Sequence, residues 1–221
     1  MAGTSQEPRA REERTPSSRG PYRTGIERRR QILDAAFRVF GRRGYGTASL
    51  REIAEEVGVT SAGILRHFGS KEELLLAVLD RFDDESELNR ARRSSFRGLA
   101  YFALLPGLME RHREHPGLIE LLLTICTEAS DPAHPARDWV VRRYNRIIQE
   151  AVSALHEAIE DSDIAPLTQA QCEGEARLLF AVMDGLELQW LADPTLDLGE
   201  LFRPVYESTL ARWRAVRPER V

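Results

Sequence analysis

Long apolar runs, cysteine and lysine are all scarce in this chain of 221 residues. No stretch of eighteen apolar residues occurs and the N-terminus lacks the apolar core of a signal peptide, so we expect a cytoplasmic protein without membrane contact. The two cysteines, Cys126 and Cys172, lie far apart and outside any metal-ligand spacing. Reduced, buried thiols are therefore the default expectation.

An alternating strand pattern is also missing, and apolar residues recur instead with helical spacing. Hydrophobic residues make up 42% of the chain, which is enough for a buried core. We therefore predict an all-α fold. The predicted helices span residues 24–43, a segment that starts at Ser70, and residues 96–114, 118–128, 136–159, 168–192 and 198–216. Ile26 belongs to the predicted buried stripe of the first helix, Gly41 and Gly44 should end that helix, and Pro106 should kink the helix over 96–114.

The most informative stretch, residues 44–75, has the pattern of two short helices joined by a tight turn. The apolar positions of the first of these helices are Leu50, Ile53, Ala54 and Val57. Their spacing buries one face, and Ser49 with Glu52 three residues later predicts a capping box. Gly58 follows, where a left-handed backbone costs a glycine little. Ile64 anchors the next helix and leaves a polar outward side, which is typical of a DNA-binding helix-turn-helix.

Several short motifs in this stretch are more specific together than the spacing alone. They are Gly44-Tyr45, Ile53-Ala54, Gly58-Val59, His67-Phe68 and Ser70-Lys71-Glu72-Glu73-Leu74. With these motifs the segment resembles the N-terminal DNA-binding domain of the TetR family of bacterial transcriptional regulators. The resemblance implies a three-helix head that binds a palindromic operator in double-stranded DNA as part of a homodimer. It also implies repression that a small-molecule effector relieves, with no catalytic residue, cofactor or metal.

The resemblance and the outward positions together predict which residues contact DNA. They are Ser49, Arg51, Thr60, Ser61, Gly63, Leu65, Arg66, His67 and Lys71. Many family members carry a tyrosine against a DNA phosphate at the position of Leu65. Leucine cannot make that hydrogen bond, so Leu65 either contacts a thymine methyl group or packs, and Arg66 is a substitute phosphate contact. His67 and Ser49 also have structural interpretations, as a packed histidine and a helix cap.

Charge is distributed unevenly along the chain. Residues 1–71 hold 14 basic and 8 acidic residues, whereas residues 72–221 hold 17 and 27. A basic head on an acidic body suits docking on phosphates. Residues 1–22 are polar and rich in arginine, which predicts a disordered arm that could reach a minor groove. The predicted division is this arm, a DNA-binding head over 23–70, and a helical ligand-binding and dimerisation domain over 71–221.

The resemblance further implies a ligand pocket among the middle helices and a dimer interface on the last two. Candidate pocket residues are Phe102, Met109, Cys126, Trp139, Arg143 and Tyr144. Candidate interface residues are Leu179, Met183, Gly185, Leu186, Trp190, Phe202, Val205, Thr209 and Trp213. The helix over 168–192 is apolar on more than one face, which independently favours a second partner. The alternative is that one subunit covers both faces itself.

Other functions remain open at this point. An activator would have the same motifs as a repressor. His112 and His115, three residues apart on one helix, could contribute to a metal-responsive site. Cys126 or Cys172 could make a thiol-responsive regulator, although apolar surroundings disfavour a reactive thiolate. A structural protein that uses the helix-turn-helix for protein contacts is a further alternative, and weak salt dependence of binding would distinguish it.

Overall fold

A computed structural model describes residues 21–81 and 96–215, and every regular element within these two ranges is a helix. The predicted all-α fold is confirmed. The helices are α1 (Pro21–Thr47), α2 (Leu50–Val57), α3 (Ser61–Phe68), α4 (described over 71–81), α5 (Leu99–Phe102), α6 (Leu105–Glu114), α7 (Pro116–Glu128), α8 (Arg137–Glu160), α9 (Gln169–Ala192) and α10 (Leu198–Arg214). The predicted arm lies outside the described residues except for its last two positions, which already belong to α1.

Helix α1 is longer than predicted, and one prediction about its buried stripe is wrong. Gly41 lies inside the helix, whereas Gly44 breaks it with non-helical angles of φ 73° and ψ 163° before one more turn reaches Thr47. Ile26 is 55% exposed and therefore does not belong to the buried stripe of α1. The stripe from Ile32 to Phe40 is fully buried and supplies the core contacts.

The segment over 96–114 forms two helices instead of one kinked helix. Pro106 lies in the first turn of α6, where its missing N–H costs no helical hydrogen bond. It therefore starts a new helix and does not bend an existing one. Pro116 has the same position at the start of α7, two residues before the predicted start of that helix.

Two apolar cores hold the described residues together. One joins α1, α2, α3 and α4 to α7 and the start of α8. The other joins α5, α6, α8, α9 and α10, with Phe102, Leu155 and Phe202 fully buried at its centre. The first core matters for function because Leu121, Leu122 and Ile125 of α7 complete the packing of the N-terminal helices. These helices therefore share apolar packing with the rest of the protein.

Candidate functional site

The turn between α2 and α3 has the geometry that the sequence predicts. Gly58 adopts the left-handed conformation with φ 72° and ψ 40°, and the N–H of Val59 donates to the carbonyl of Ala54 at 3.0 Å. Ser49 caps α2 by accepting from the N–H of Glu52 at 3.1 Å. The predicted capping box is nevertheless wrong, because the Glu52 carboxylate bonds to Arg43 at 3.2 Å instead of returning to the cap.

Helix α3 presents a short outward surface that is held by its own cap. The Thr60 hydroxyl accepts from the N–H of Gly63 at 3.0 Å, so Thr60 is the N-cap. Ile64 and Phe68 are buried and anchor the helix on its inner side. Ala62, Leu65 and Arg66 are exposed, whereas Ser61, Gly63 and His67 are partly covered. Leu65 is 40% exposed, so of its two sequence-based interpretations the structure disfavours packing.

Ala62 is an outward residue that the sequence interpretation missed. It lies one turn before Leu65 on the exposed face of α3. Alanine carries no chemical signal of its own, so only the helical phase, with Ile64 and Phe68 inward, could have identified it. Together Ala62 and Leu65 make an apolar strip beside Arg66.

Glutamates of α2 pair with most of the neighbouring arginines. Glu56 accepts from Arg38 at 3.0 Å and from Arg42 at 2.6 Å. Arg51, a predicted phosphate contact, pairs with Glu55 at 2.8 Å on the solvent-exposed side of α2. Within the described part of the chain, Arg66 has neither an ion pair nor a side-chain hydrogen bond. Its guanidinium is therefore the cation of α3 that is available for an external anion.

Lys71, which is also predicted to contact DNA, faces inward in this structure. Its Nζ donates to the carbonyl of Tyr45 at 2.5 Å and lies 4.4 Å from the centre of the Tyr45 ring. Burial lowers the pKa of Lys71, and the nearby charge of Glu128 opposes that shift. A phosphate contact by Lys71 would require the ammonium to leave Tyr45.

Glu128, at the end of α7, connects the body to the break in α1. Its carboxylate accepts from the N–H of Tyr45 at 2.7 Å and from that of Gly46 at 3.4 Å. The ring of His134 packs edge-on against Tyr45, with 5.2 Å between ring centres. Two backbone donors freed by the kink at Gly44 are satisfied in this way. The junction depends on residues 83 positions apart, so sequence spacing gave no signal of it.

A cavity of about 800 Å³ lies where α1, α4 and the helices α6 to α9 meet. Three of the six predicted pocket residues, Cys126, Arg143 and Tyr144, line it. The other three, Phe102, Met109 and Trp139, are wrong as lining residues because they are buried in the two apolar cores. Apolar side chains make up much of the wall, including Phe37, Leu108, Leu123, Ile147, Phe180 and Met183.

The α9 side of the cavity carries two carboxylates that the sequence interpretation missed. Asp184 accepts from the Tyr144 hydroxyl at 2.7 Å, and Glu187 lies 2.5 Å from Nδ1 of His112. Burial raises the pKa of Asp184, and the charge of Glu187 raises it further against the opposing effects of Tyr144, Arg143 and His112. The available signal was two acids three residues apart within an otherwise apolar helical stripe.

The metal-responsive and thiol-responsive alternatives gain no support from the described geometry. Among the described residues, no group of three His, Cys, Asp or Glu side chains is arranged to hold a metal ion. His112 bonds to Glu187, whereas His115 is exposed. Burial raises the pKa of the Cys126 and Cys172 thiols, which favours the protonated, less reactive form.

The last two helices carry an apolar outer face, but its residues differ from most of those predicted. Met183, Trp190, Phe202 and Trp213 are buried within the subunit and do not line this face, so they are wrong as interface residues. Leu179 and Thr209 are also largely buried, but both line the outer groove between α9 and α10. Leu178 is 56% exposed and lies beside a groove of about 370 Å³ between α9 and α10. Val182 and the predicted Val205 line the same groove. Apart from its chain neighbours and its own helical backbone, no atom lies within 4 Å of a Cβ built on Gly185, so the described subunit leaves open space at this predicted interface residue.

Leu186 keeps a partly exposed side chain on the same helix, so its predicted place at an interface stays open. Over the described ranges, none of the helices combines the length and the apolar character needed to cross a bilayer.

Sequence comparison connects the N-terminal helices to a known family. Residues 32–78 match the model described as bacterial regulatory proteins, tetR family. The HTH-type transcriptional regulator TtgR of Pseudomonas putida is 30% identical over 193 residues, which cover 76% of this chain and 82% of TtgR. The HTH-type transcriptional activator FasR of Mycolicibacterium smegmatis is 52% identical over 58 residues, or 26% of each chain.

Solved structures with the same fold contain different ligands. FadR of Bacillus subtilis, in complex with stearoyl-CoA, is 20% identical with a TM-score of 0.68, over 82% of this chain and 97% of FadR. A transcriptional regulator of Saccharomonospora viridis in complex with choline is 25% identical with a TM-score of 0.67, over 84% of this chain and 96% of its own. The shared fold therefore does not by itself specify a ligand.

Proposed function

The chain belongs to the TetR family and is a DNA-binding regulator of transcription; from that premise we propose that it is a homodimeric repressor that a small molecule releases from a palindromic operator. The observation that carries the proposal is the outward face of α3, where Arg66 is unpaired among the described residues beside exposed Ala62 and Leu65. A helix of this length fits the major groove, where base edges are distinguishable.

Residues at and near the N-terminal end of α3 are proposed to position this helix on the DNA. Thr60, Gly63 and Ser61 lie at the N-terminal end of α3, where the positive end of the helix dipole favours a phosphate. Ser49, at the start of α2, offers a hydroxyl near the same surface, while His67 is adjacent to Arg66. We assign these residues to contacts with the DNA backbone, which orient the head, and we assign Leu65 and Arg66 to contacts with the bases. Arg51 and Lys71 would contribute only after leaving Glu55 and Tyr45, respectively.

The apolar outer face of α9 and α10 supports the proposed dimer. A single α3 contacts few base pairs, so two heads related by a two-fold axis are needed for tight and specific binding, with half-sites about one helical turn of DNA apart. Leu178, Val182 and Val205 form an apolar surface that one subunit leaves uncovered. Because the same patch can meet itself across a two-fold axis, a second copy is the proposed occupant.

The cavity is the proposed effector site because the helices around it also support the head. Leu33 and Phe37 of α1 and Val78 of α4 line it, and each also packs in or against the first apolar core. An effector that fits better when these helices move would shift the equilibrium away from the DNA-binding arrangement. An affinity difference of about 100-fold between the two arrangements is worth roughly 2.7 kcal/mol, within the usual range of allosteric coupling.

The test starts with selection of bound sequences from a random pool of duplexes by the full-length protein. We expect a palindromic consensus whose affinity falls steeply with salt, since phosphate contacts release counterions. A reporter placed downstream of the selected site then measures the direction of regulation. Failure to enrich any duplex sequence over random DNA would contradict the proposal, and salt-independent binding would favour an apolar protein contact instead.

Activation is the second candidate because FasR, which is 52% identical over 58 residues, is a transcriptional activator. The two candidates differ in the position of the operator relative to the promoter, not in the head itself. Deletion of the gene raises expression of the neighbouring operon under repression and lowers it under activation. The reporter assay distinguishes the two without any knowledge of the effector.

A further inference from the structure

We propose that the effector is an organic cation, with an apolar body in the cavity and a protonated amine against Asp184 and Glu187 of α9. The inference rests on the proposed effector function and specifies its chemistry. It depends on where the charges of the cavity lie and on which of them already have partners.

The two carboxylates share one face of α9. They are three residues apart, which brings side chains of a helix together, and both line the cavity. Glu187 is only 6% exposed, and Asp184 is partly covered. Two negative charges this close repel one another, and burial removes the water that would otherwise screen them. The cavity therefore has an acidic end that gains from a positive charge.

Neither carboxylate is fully occupied by its described partner. A carboxylate can accept about four hydrogen bonds. Asp184 accepts one from the neutral hydroxyl of Tyr144, through Oδ2, and Glu187 meets His112 through Oε1. These contacts orient both groups but leave acceptor capacity at Oδ1 and Oε2, on a wall that faces the cavity. A phenol and an imidazole also supply less positive charge than two buried carboxylates require.

Four arginines also line the cavity, Arg81, Arg111, Arg143 and Arg146. Among the described residues, none of them makes a hydrogen bond or an ion pair with Asp184 or Glu187. Arg81 pairs with Asp34 at 2.6 Å, on the side formed by α1 and α4. The Arg143 guanidinium lies 5.8 Å from the centre of the Trp139 ring, and Arg111 is exposed. Arg143 and His112 lower the pKa of Asp184, but burial outweighs both. At α9 an incoming ammonium would therefore meet two carboxylates that lack an arginine partner in the described part of the chain, whereas the same two carboxylates would repel an incoming carboxylate.

The remaining wall determines the rest of the ligand. Phe180 and Met183 flank the carboxylates on α9, and Leu108, Leu123 and Ile147 come from three other helices. Apolar groups from four directions exclude a small hydrophilic cation as the best fit. The chemical class is therefore an amine with a substantial hydrocarbon or aromatic part.

Three probes with one apolar body test the charge preference. Octylammonium, 1-octanol and octanoate differ in the head group, and isothermal titration of each into the DNA-free protein at pH 7 measures affinity. We expect octylammonium to bind about 10- to 100-fold more tightly than octanol, the range for a hydrogen bond to a charged group, and octanoate to bind most weakly. Equal affinities, tightest binding of octanoate, or no binding of octylammonium would each overturn the proposal.

Paired variants assign the preference to the two carboxylates. The double variant Asp184→Asn with Glu187→Gln keeps the shape and the hydrogen bonds to Tyr144 and His112, so it should bind octanol within about threefold of the wild type while losing the ammonium preference. Asp34→Asn, which changes a cavity carboxylate paired with Arg81, is the matched control and should retain the preference. Survival of the preference in the double variant, with native circular dichroism, would contradict the assignment.

Operator binding is measured separately on the same preparations. Octylammonium binding that leaves operator affinity unchanged would support the cation site and contradict its coupling to DNA. If the unliganded wild type binds no operator, the proposed function is contradicted, and the titration with octylammonium still tests the cation site.

Discussion

The Glu128 carboxylate accepts a hydrogen bond from the backbone N–H of Tyr45 at 2.7 Å, and so joins the end of α7 to the broken end of α1. Residues on α7 that line the cavity, such as Leu122 and Cys126, lie within two turns of this contact. Helix α7 therefore contacts both the proposed effector site and the end of α1 in the DNA-binding head. Displacement of α7 by an effector would reach α1 through Glu128 without passing through α4.

Replacing Glu128 by alanine should lower stability. The change leaves the N–H groups of Tyr45 and Gly46 without their acceptor, which costs about 1–3 kcal/mol in the free energy of unfolding. Urea denaturation followed by circular dichroism measures it. Glu55→Ala, at an exposed ion pair, is the control and should cost less than about 1 kcal/mol. Equal losses in the two variants would mean that the contact contributes little.

Arg66→Ala should weaken binding to the selected operator about 10- to 100-fold, the usual range for one specific base or phosphate contact. Fluorescence anisotropy at several salt concentrations distinguishes the two roles. Loss of a phosphate contact reduces the salt slope by about one, whereas loss of a base contact mainly relaxes sequence preference. Arg203→Ala on α10 removes an arginine far along the chain from α3 and should leave affinity unchanged. An unaltered affinity in Arg66→Ala would exclude the guanidinium from the interface.

Leu65 should contact a thymine methyl group, the apolar group that base pairs display in the major groove. Replacing each operator thymine in turn by uracil removes only that methyl. At one position the change should cost wild-type protein about fourfold in affinity, close to the value of one buried methylene. Leu65→Ala should lose affinity for the thymine operator and become indifferent to uracil at the same position. If the loss of affinity caused by Leu65→Ala simply adds to the loss caused by uracil at every thymine position, Leu65 does not contact a thymine methyl group.

Leu178→Glu should shift the protein from dimer to monomer. The side chain is 56% exposed on the apolar outer face, so a carboxylate there would be buried without a partner if a second copy packs on it. Sedimentation at several protein concentrations should show a dimer dissociation constant at least about 100-fold higher than that of the wild type. Val141→Glu, at a comparably exposed apolar position on α8, is the matched control and should remain dimeric. A dimeric Leu178→Glu protein would assign the interface to another surface.

Asp184→Asn should stabilise the unliganded protein increasingly as pH rises. Burial raises the pKa of Asp184 above its ordinary value of 3.8, so the folded state retains a proton that the unfolded state loses. Stability is then lost as pH rises from that ordinary value through the raised one. Thermal unfolding at pH values from below 3.8 to 7 should show the variant equal to the wild type at the acid end and more stable at neutral pH. A stability difference between the variant and the wild type that does not grow with pH would contradict the prediction.

The elements that depend on local chemistry were predictable from the sequence. Ser49 and Gly58 determine the first of the two short helices and the turn after it through a cap and one left-handed residue, all within a few positions. The family resemblance then supplied the function. Pro106 was misread because a proline inside an apolar pattern predicts a kink or a helix start equally well, and the pattern on either side did not decide between them.

Residues whose role depends on distant partners were not predictable. Helix α9 is apolar on several faces, and the sequence does not show which of them packs inside, so Met183 and Trp190 are predicted at the interface and Leu178 is not. The sequence did not single out Asp184 and Glu187 because acidic residues on a helix usually face solvent. Their hydrogen bonds at the cavity are with Tyr144 and His112, which lie on other helices.

The apolar core that α7 shares with the N-terminal helices constrains how hybrid regulators can be built. A chimera that joins residues up to 81 to the body of a relative would pack Ile32, Phe40 and Leu75 against a foreign α7. Exchange of operator specificity between relatives is therefore easiest by replacing the outward residues of α3 alone, and recombination of whole heads requires the matching surface of α7 to travel with them.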